Sequence, residues 1–131
     1  MLTAMEPLRV RVQVASCQPA AEAGHWEVTW LVHNDADEPV QLEDAWIPHG
    51  RFRGPGHVRL SVRIEPRTAG RVHSSVAADE PAGTIVRNAF LILRASCGQA
   101  RWRIFARMRV EFGPGGRAWP VLENVSLQCV E

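Results

Sequence analysis

Histidine and serine side chains are the groups of this 131-residue chain that could supply a catalytic nucleophile and its base. His73 is followed directly by Ser74 and Ser75, in a stretch with the composition of a strand. Neighbouring residues of a strand point to opposite faces, so adjacency in sequence does not bring a base to a nucleophile. The chain contains no G-x-S-x-G turn. We therefore predict no catalytic residues and favour a protein that is not an enzyme.

Metal and cofactor sites are also difficult to assemble from this sequence. His25 and His33 lie at the two ends of one predicted strand, which separates them by about 26 Å. His49 and His57 flank a glycine-rich loop and could meet if that loop folds back. The segments GPGGR and HGRFRGPG lead into predicted strands, whereas phosphate cradles open helices. Because no zinc-like spacing occurs either, we expect no metal ion and no cofactor.

Cys17, Cys97 and Cys129 are spaced too irregularly for a disulfide framework, and no C-x-x-C pair occurs. Free thiols of this kind are typical of a reducing compartment. The first residues lack a basic region followed by a long apolar region. No apolar run reaches the roughly 18 residues that cross a membrane. The sequence thus predicts a cytoplasmic protein with no membrane partner.

A guanidinium-rich segment, RWRIFARMRVEF, runs from residue 101 to residue 112. One side of it carries four arginines and an aromatic residue: Arg101, Arg103, Phe105, Arg107 and Arg109. Guanidinium groups stack, bind carboxylates bidentately and are enriched at interfaces, and an aromatic among them is typical of a binding hot spot. We predict that this side binds a partner. The alternative is a solvated face of ion pairs.

All fifteen basic residues are arginine, yet acidic residues reduce the net charge to +1. A nucleic-acid-binding domain usually has a strongly basic balance. The predicted partner is therefore another protein or a second copy of the chain, and nucleic acid is the less favoured alternative.

The second candidate binding region is the irregular segment 48–56, PHGRFRGPG, whose prolines and glycines disfavour a helix or a central strand. Four of its side chains are suited to binding: His49, Arg51, Phe52 and Arg53. If His49 and His57 converge there with arginines, the segment would line a pocket for a small ligand or a reaction. That pocket is the alternative to a noncatalytic binding or assembly module.

β-Strands must position these candidates, because polar and apolar residues alternate with a period of two along most of the chain. The predicted strands are residues 8–14, 25–33, 40–47, 58–64, 71–77, 84–95, 101–112 and 119–129, of which 40–47 is less regular and 84–95 contains a continuous apolar run. Turn-forming residues separate them, and no segment shows helical spacing with a cap. We predict a single all-β domain over residues 1–131, an antiparallel β-sandwich of about seven to nine strands.

Packing expectations follow from the same pattern. The predicted core residues are Trp26, Trp30, Phe90, Leu91, Trp102, Met108 and Val110. The run AFLIL indicates a strand covered on both sides, and Glu123 indicates a bulge or an edge position. Strands with arginine-bearing faces cannot all be neighbours, because like charges would oppose each other. Either acidic strands separate them or they are divided between two sheets.

The order of these features resembles that of small bacterial immunoglobulin-like domains. The resemblance is carried by WEVTWLVHNDADEPVQL and by the closing segments NAFLIL, RIFARMRVEF and VLENVSL. Cys17, Trp30 and Cys97 also follow the Cys–Trp–Cys order of antibody domains, although the chain has no tyrosine to form a tyrosine corner. The resemblance implies an immunoglobulin-like sandwich. It implies no function, because such folds host many unrelated ones.

Overall fold

The computed structural model of the protein describes residues 8–130, which form two antiparallel five-stranded sheets. The strands are β1 (Val10–Pro19), β2 (His25–Asn34), β3 (Val40–Trp46), β4 (Pro48–His49), β5 (Phe52–Arg53), β6 (Val58–Ile64), β7 (Ala69–Ala77), β8 (Ile85–Cys97), β9 (Ala100–Phe112) and β10 (Ala118–Val130). Sheet A has the order β1-β2-β7-β5-β4, and sheet B has the order β10-β9-β8-β3-β6. The all-β prediction is confirmed. The described residues include no helix long and apolar enough to span a membrane.

The alternation that predicted the strand at 101–112 separates the two faces of β9. Ile104, Ala106, Met108 and Val110 are fully buried, and the residues between them point away from the core. The inward faces of both sheets form one apolar cluster, in which Trp30 and Leu91 are also fully buried. Burial of apolar surface of this kind is the main stabilising term of a β-sandwich.

Two of the predicted core residues are placed differently. β8 contains a bulge between Val86 and Ala89, and Asn88 adopts a positive φ of 58° there. The bulge shifts the inward set to Ala89, Leu91 and Leu93, so Phe90 lies on the outer face and is only half-buried. The prediction that AFLIL is covered on both sides is therefore wrong for the described part of the chain.

Trp102 points inward at the end of β9, next to Ala95. It packs against the core but stays partly exposed, because it lies near the rim of the two sheets. Its contribution to stability is accordingly smaller than that of a fully buried tryptophan.

The segment 48–56 is less irregular than its glycines and prolines indicated. β4 and β5 form a very short hairpin, and β5 joins sheet A by pairing Arg53 with Ala77. Phe52 is fully buried. Because β5 is part of sheet A, the side chain of Phe52 packs in the core. The prediction that Phe52 binds a partner is therefore wrong.

The last strand fulfils the expectation for Glu123. The register of β10 against β9 shifts between Leu122 and Asn124, so Glu123 is the extra residue of a bulge, and β10 is an edge strand of sheet B. Pro120 lies on the same edge strand, where a missing N–H is tolerated.

The expectation for the arginine-bearing strands is met only in part, because β8, which has no acidic residue, lies beside β9 and sets Arg94 opposite Arg103. Arg11 lies in sheet A, whereas β6 and β9 lie in sheet B. β3 and β8 separate β6 from β9, and β3 supplies the acidic residues Glu43 and Asp44.

Asn34 is the one fully buried polar side chain among the described core residues, and it joins three segments. Its Nδ2 donates hydrogen bonds to the carbonyl oxygens of Glu38 at 2.8 Å and Ile64 at 3.0 Å. Its Oδ1 accepts a hydrogen bond from the amide of Ala36 at 3.0 Å. The side chain thus fixes the turn between β2 and β3 against the end of β6.

Replacing Asn34 by alanine tests this role. We expect Asn34→Ala to lower the free energy of unfolding by about 2–4 kcal/mol, because three buried hydrogen bonds are removed. The matched control is Asn124→Ala at an exposed position, which should cost less than about 0.5 kcal/mol. Urea denaturation of both variants measures the difference, and equal stabilities would show that the Asn34 network is not stabilising.

Candidate functional site

The outer face of sheet B carries a row of apolar side chains that runs across three strands. Phe105 of β9 lies directly opposite Ile92 of β8, and Ile92 lies opposite Trp46 of β3. Phe90 lies next to this row, two residues from Ile92 on the same face of β8. All four side chains are half-buried by their neighbours in the sheet. Each stays partly exposed because no described strand packs over this side of sheet B.

Two bulges turn Trp46, Phe90 and Ile92 outward. In β3 the register shifts between Leu42 and Asp44, so Ala45 points inward and Trp46 points to the outer face. The bulge at Asn88 has the same effect on Phe90 and Ile92. Without the extra residues, strict alternation would direct all three side chains into the core.

Arginines surround the apolar row. Arg103 of β9 lies directly opposite Arg94 of β8, and Arg107 lies opposite Phe90. On its other side Arg94 lies opposite Asp44 of β3, and Asp44 in turn lies opposite Arg59 of β6. None of Arg94, Arg103 and Arg107 forms an ion pair with a carboxylate of the described residues. Glu43 lines a small hollow together with Arg94 and Arg103 but forms no ion pair with them. Because the arginines outnumber the acidic residues Glu43 and Asp44 here, this face retains a net positive charge.

We call this surface the cationic face and define it by eight residues: Trp46, Arg59, Phe90, Ile92, Arg94, Arg103, Phe105 and Arg107. It combines a central apolar row with positive charge at its margin. Its chemistry suits a partner that is both anionic and apolar.

Arg101 and Arg109 lie at the two ends of this surface and differ from its central arginines. The Nε of Arg109 contacts Glu111 at 2.7 Å and its Nη1 contacts Glu123 at 3.4 Å, which raises the pKa of the guanidinium. Arg109 is therefore already neutralised within the chain. Arg101 lies opposite Ser96 near the end of the hairpin.

One contact of this surface was missed by sequence reasoning. The ring of His57 stacks on Trp46 with centroids 4.4 Å apart and an interplanar angle of 25°. The Nδ1 of His57 also hydrogen-bonds Asp44 at 2.7 Å. The two-residue spacing of Asp44 and Trp46 indicates that both side chains lie on the same face of β3. The sequence does not show that His57 contacts them, because that contact depends on the pairing of β3 with β6.

The residues predicted in segment 48–56 do not join the cationic face. His49 accepts a hydrogen bond from the Arg51 amide at 3.0 Å, and Arg51 pairs with Glu80 at 2.6 Å. That ion pair lowers the pKa of the Glu80 carboxyl. Arg53 is exposed on sheet A.

His49 and His57 belong to different environments. His49 is part of β4 in sheet A, whereas His57 precedes β6 in sheet B. A small hollow beside the loop is lined by Trp46, Gly54, Pro55 and Ser74, among others, and by neither histidine. The geometry gives no support to a histidine-lined pocket there.

A serine, a glutamate and a histidine meet on the outer face of sheet A. Ser75 Oγ donates to Glu27 at 3.0 Å, and the Nε2 of His73 lies 2.5 Å from the same carboxylate. The carboxylate therefore lies between the other two groups, whereas a nucleophilic serine needs the histidine as its direct neighbour. Ser74 points to the opposite face and accepts a hydrogen bond from Trp30 Nε1 at 3.1 Å. No group of three metal-ligating side chains occurs among residues 8–130.

Comparisons of the chain with protein-family models, with curated proteins and with solved structures found no match.

The three thiols have different environments. Cys17 is fully buried in β1, and burial raises the pKa of its thiol to about 11. Cys97 is half-buried, and burial together with the nearby Glu38 carboxylate raises its pKa. Cys129 is exposed on β10.

These environments lead to an order of reactivity with iodoacetamide at pH 8. Because the thiolate is the reacting species, we expect Cys129 to be alkylated first, Cys97 more slowly and Cys17 only on unfolding. Peptide mass spectrometry of timed samples measures each rate. In concentrated guanidinium chloride the three rates should become similar. Equally fast native alkylation of Cys17 and Cys129 would contradict the burial of Cys17.

Proposed function

We propose that this protein is a noncatalytic protein-binding module whose partner docks on the cationic face. The observation that carries this proposal is the outward-facing apolar row of Trp46, Ile92 and Phe105, which is bordered by arginines without described ion partners. Bulges turn Trp46 and Ile92 outward, and the alternation of β9 turns Phe105 outward. A large apolar group in such a setting is typical of an interface. Three free thiols support a reducing setting such as the cytoplasm.

We further propose that the sandwich is immunoglobulin-like. Strands β1, β2 and β7 have the relative order of strands A, B and E in such domains, and β6, β3, β8 and β9 have the order C′, C, F and G. β10 is then an additional strand beside G. Two features depart from antibody domains: Cys17 and Cys97 are unpaired, and Trp30 lies on the second strand.

The charge of the cationic face narrows the class of partner. Two copies of the chain meeting through this face across a two-fold axis would oppose Arg103 and Arg107 to arginines of the other copy. A partner protein with an acidic border and an exposed apolar side chain avoids that repulsion. Nucleic acid is less favoured, because Asp44 interrupts the arginines and the net charge of the chain is only +1.

The double variant Arg103→Ser/Arg107→Ser tests the proposed function. We expect it to weaken partner binding by at least about tenfold, because two interfacial guanidinium groups are removed. Its melting temperature should stay nearly unchanged, because exposed arginines contribute little to stability. The readout is quantitative mass spectrometry of proteins captured from a lysate of the source organism, followed by titration of the enriched protein.

The matched control is Arg53→Ser/Arg71→Ser, which removes two exposed arginines from sheet A. It should bind like the parent protein. Equal binding by parent, test and control variants would contradict the proposal. If a single-stranded oligonucleotide bound instead, the slope of log affinity against log salt would fall by about 0.7 for each phosphate that an arginine no longer neutralises.

A further inference from the structure

Within residues 8–130, four strands form the edges of the two sheets, and three of them carry features that block pairing with another strand. β4 has two residues and begins with Pro48. β6 turns Arg59 and Arg63 to solvent. β1 contains a bulge between Val14 and Ser16. Short length, exposed charge and bulges all discourage edge-to-edge association.

The fourth edge, β10, is protected along only half of its length. Its first half contains Pro120 and the bulge at Glu123. Its second half, NVSLQCV from Asn124 to Val130, has no charge, no proline and no glycine. β1 approaches β10 across a groove lined by residues 10–13 and 122–125. Beyond residue 125, no described strand pairs with the free edge of β10. An uncharged segment with strand-forming side chains on an open edge is a template for another strand.

We propose that this edge pairs with a second copy of the chain. The two β10 strands run antiparallel across a two-fold axis centred on Leu127 and extend sheet B into one ten-stranded sheet. In this register Ser126 faces Gln128 of the other copy, and Val125 faces Cys129 of the other copy.

The side chains of β10 match their own two-fold image. Ser126 and Gln128 are exposed and lie on the outer face, opposite Phe105 and Arg103 of β9. Val125 and Leu127 pack on the core side. Over residues 124–130 the proposed register therefore opposes polar groups to polar groups and apolar groups to apolar groups, and it brings no two charges together. A strand with charged side chains would find no oppositely charged side chain on residues 124–130.

The two-fold axis of such a pair is perpendicular to the sheet. Both cationic faces then lie on the same side of the extended sheet, and the dimer presents two copies of the proposed binding surface to one partner assembly. The dimer itself is independent of the proposed function, because its contacts are made by β10 and involve none of the eight residues that define the cationic face.

Sedimentation equilibrium of the full chain tests the dimer. We expect a mass of about 29 kDa at high concentration, twice the 14.6 kDa of one chain. Ser126→Lys/Gln128→Lys should remain monomeric, because ammonium groups on an edge strand block pairing and would face each other in the proposed register. The matched control Ser61→Lys/Gln18→Lys places the same substitutions on β6 and β1 and should dimerise like the parent. A monomeric parent, or a dimer that survives the β10 substitutions, would overturn the proposal.

Cysteine cross-linking tests the register. Val125→Cys places a thiol opposite Cys129 of the other copy, so we expect mild oxidation to give a disulfide-linked dimer. Ser126→Cys introduces a more exposed thiol that points to the other face, so its dimer should form at least about tenfold more slowly. Faster cross-linking of Ser126→Cys than of Val125→Cys would rule out pairing centred on Leu127. Neither test requires a ligand for the cationic face, so failure of the dimer would leave the proposed function standing.

Discussion

The period of two along β9 is the constraint on which the rest of the structure depends. Each residue of this strand belongs either to the core or to the outer face, and a shift of one residue would exchange the two sets. Placing Arg103 and Arg107 inside would bury unpaired charges at a prohibitive cost. Burial of Ile104, Ala106 and Met108 therefore also fixes where the guanidinium groups point. Core packing and surface chemistry are set by the same register.

The apolar part of the cationic face depends on the neighbouring strands and not on β9 alone. One bulge each in β3 and β8 changes which residues face outward, and Trp46, Phe90 and Ile92 come to lie beside Phe105. Bulges often redirect side chains near functional sites. Without these two irregularities Trp46, Phe90 and Ile92 would point into the core. Arg94 would also turn inward, whereas Phe105 and the arginines of β9 would still point outward. The irregularities therefore create the part of the proposed binding surface that β3 and β8 contribute.

Sequence reasoning succeeded where one strand alone decides the outcome. The alternation at residues 101–112 located the outward arginines, and Glu123 signalled the bulge in β10. It failed where the outcome depends on pairing between strands. The run AFLIL contains no residue that marks the shift at Asn88, so the pattern places Phe90 in the core. The glycines around Phe52 predict a loop and do not reveal that sheet A buries its side chain. The stack of His57 on Trp46 requires knowing that β6 lies beside β3.

Site-specific photo-crosslinking from position 105 tests most directly whether a partner covers the outer face of sheet B. The photoreactive residue p-benzoylphenylalanine would replace Phe105 in one variant and Ser75, on the outer face of sheet A, in another. Irradiation of cells that express each variant should give a discrete protein adduct from position 105 and none from position 75. Adducts of equal yield from both positions, or none from position 105, would contradict the account.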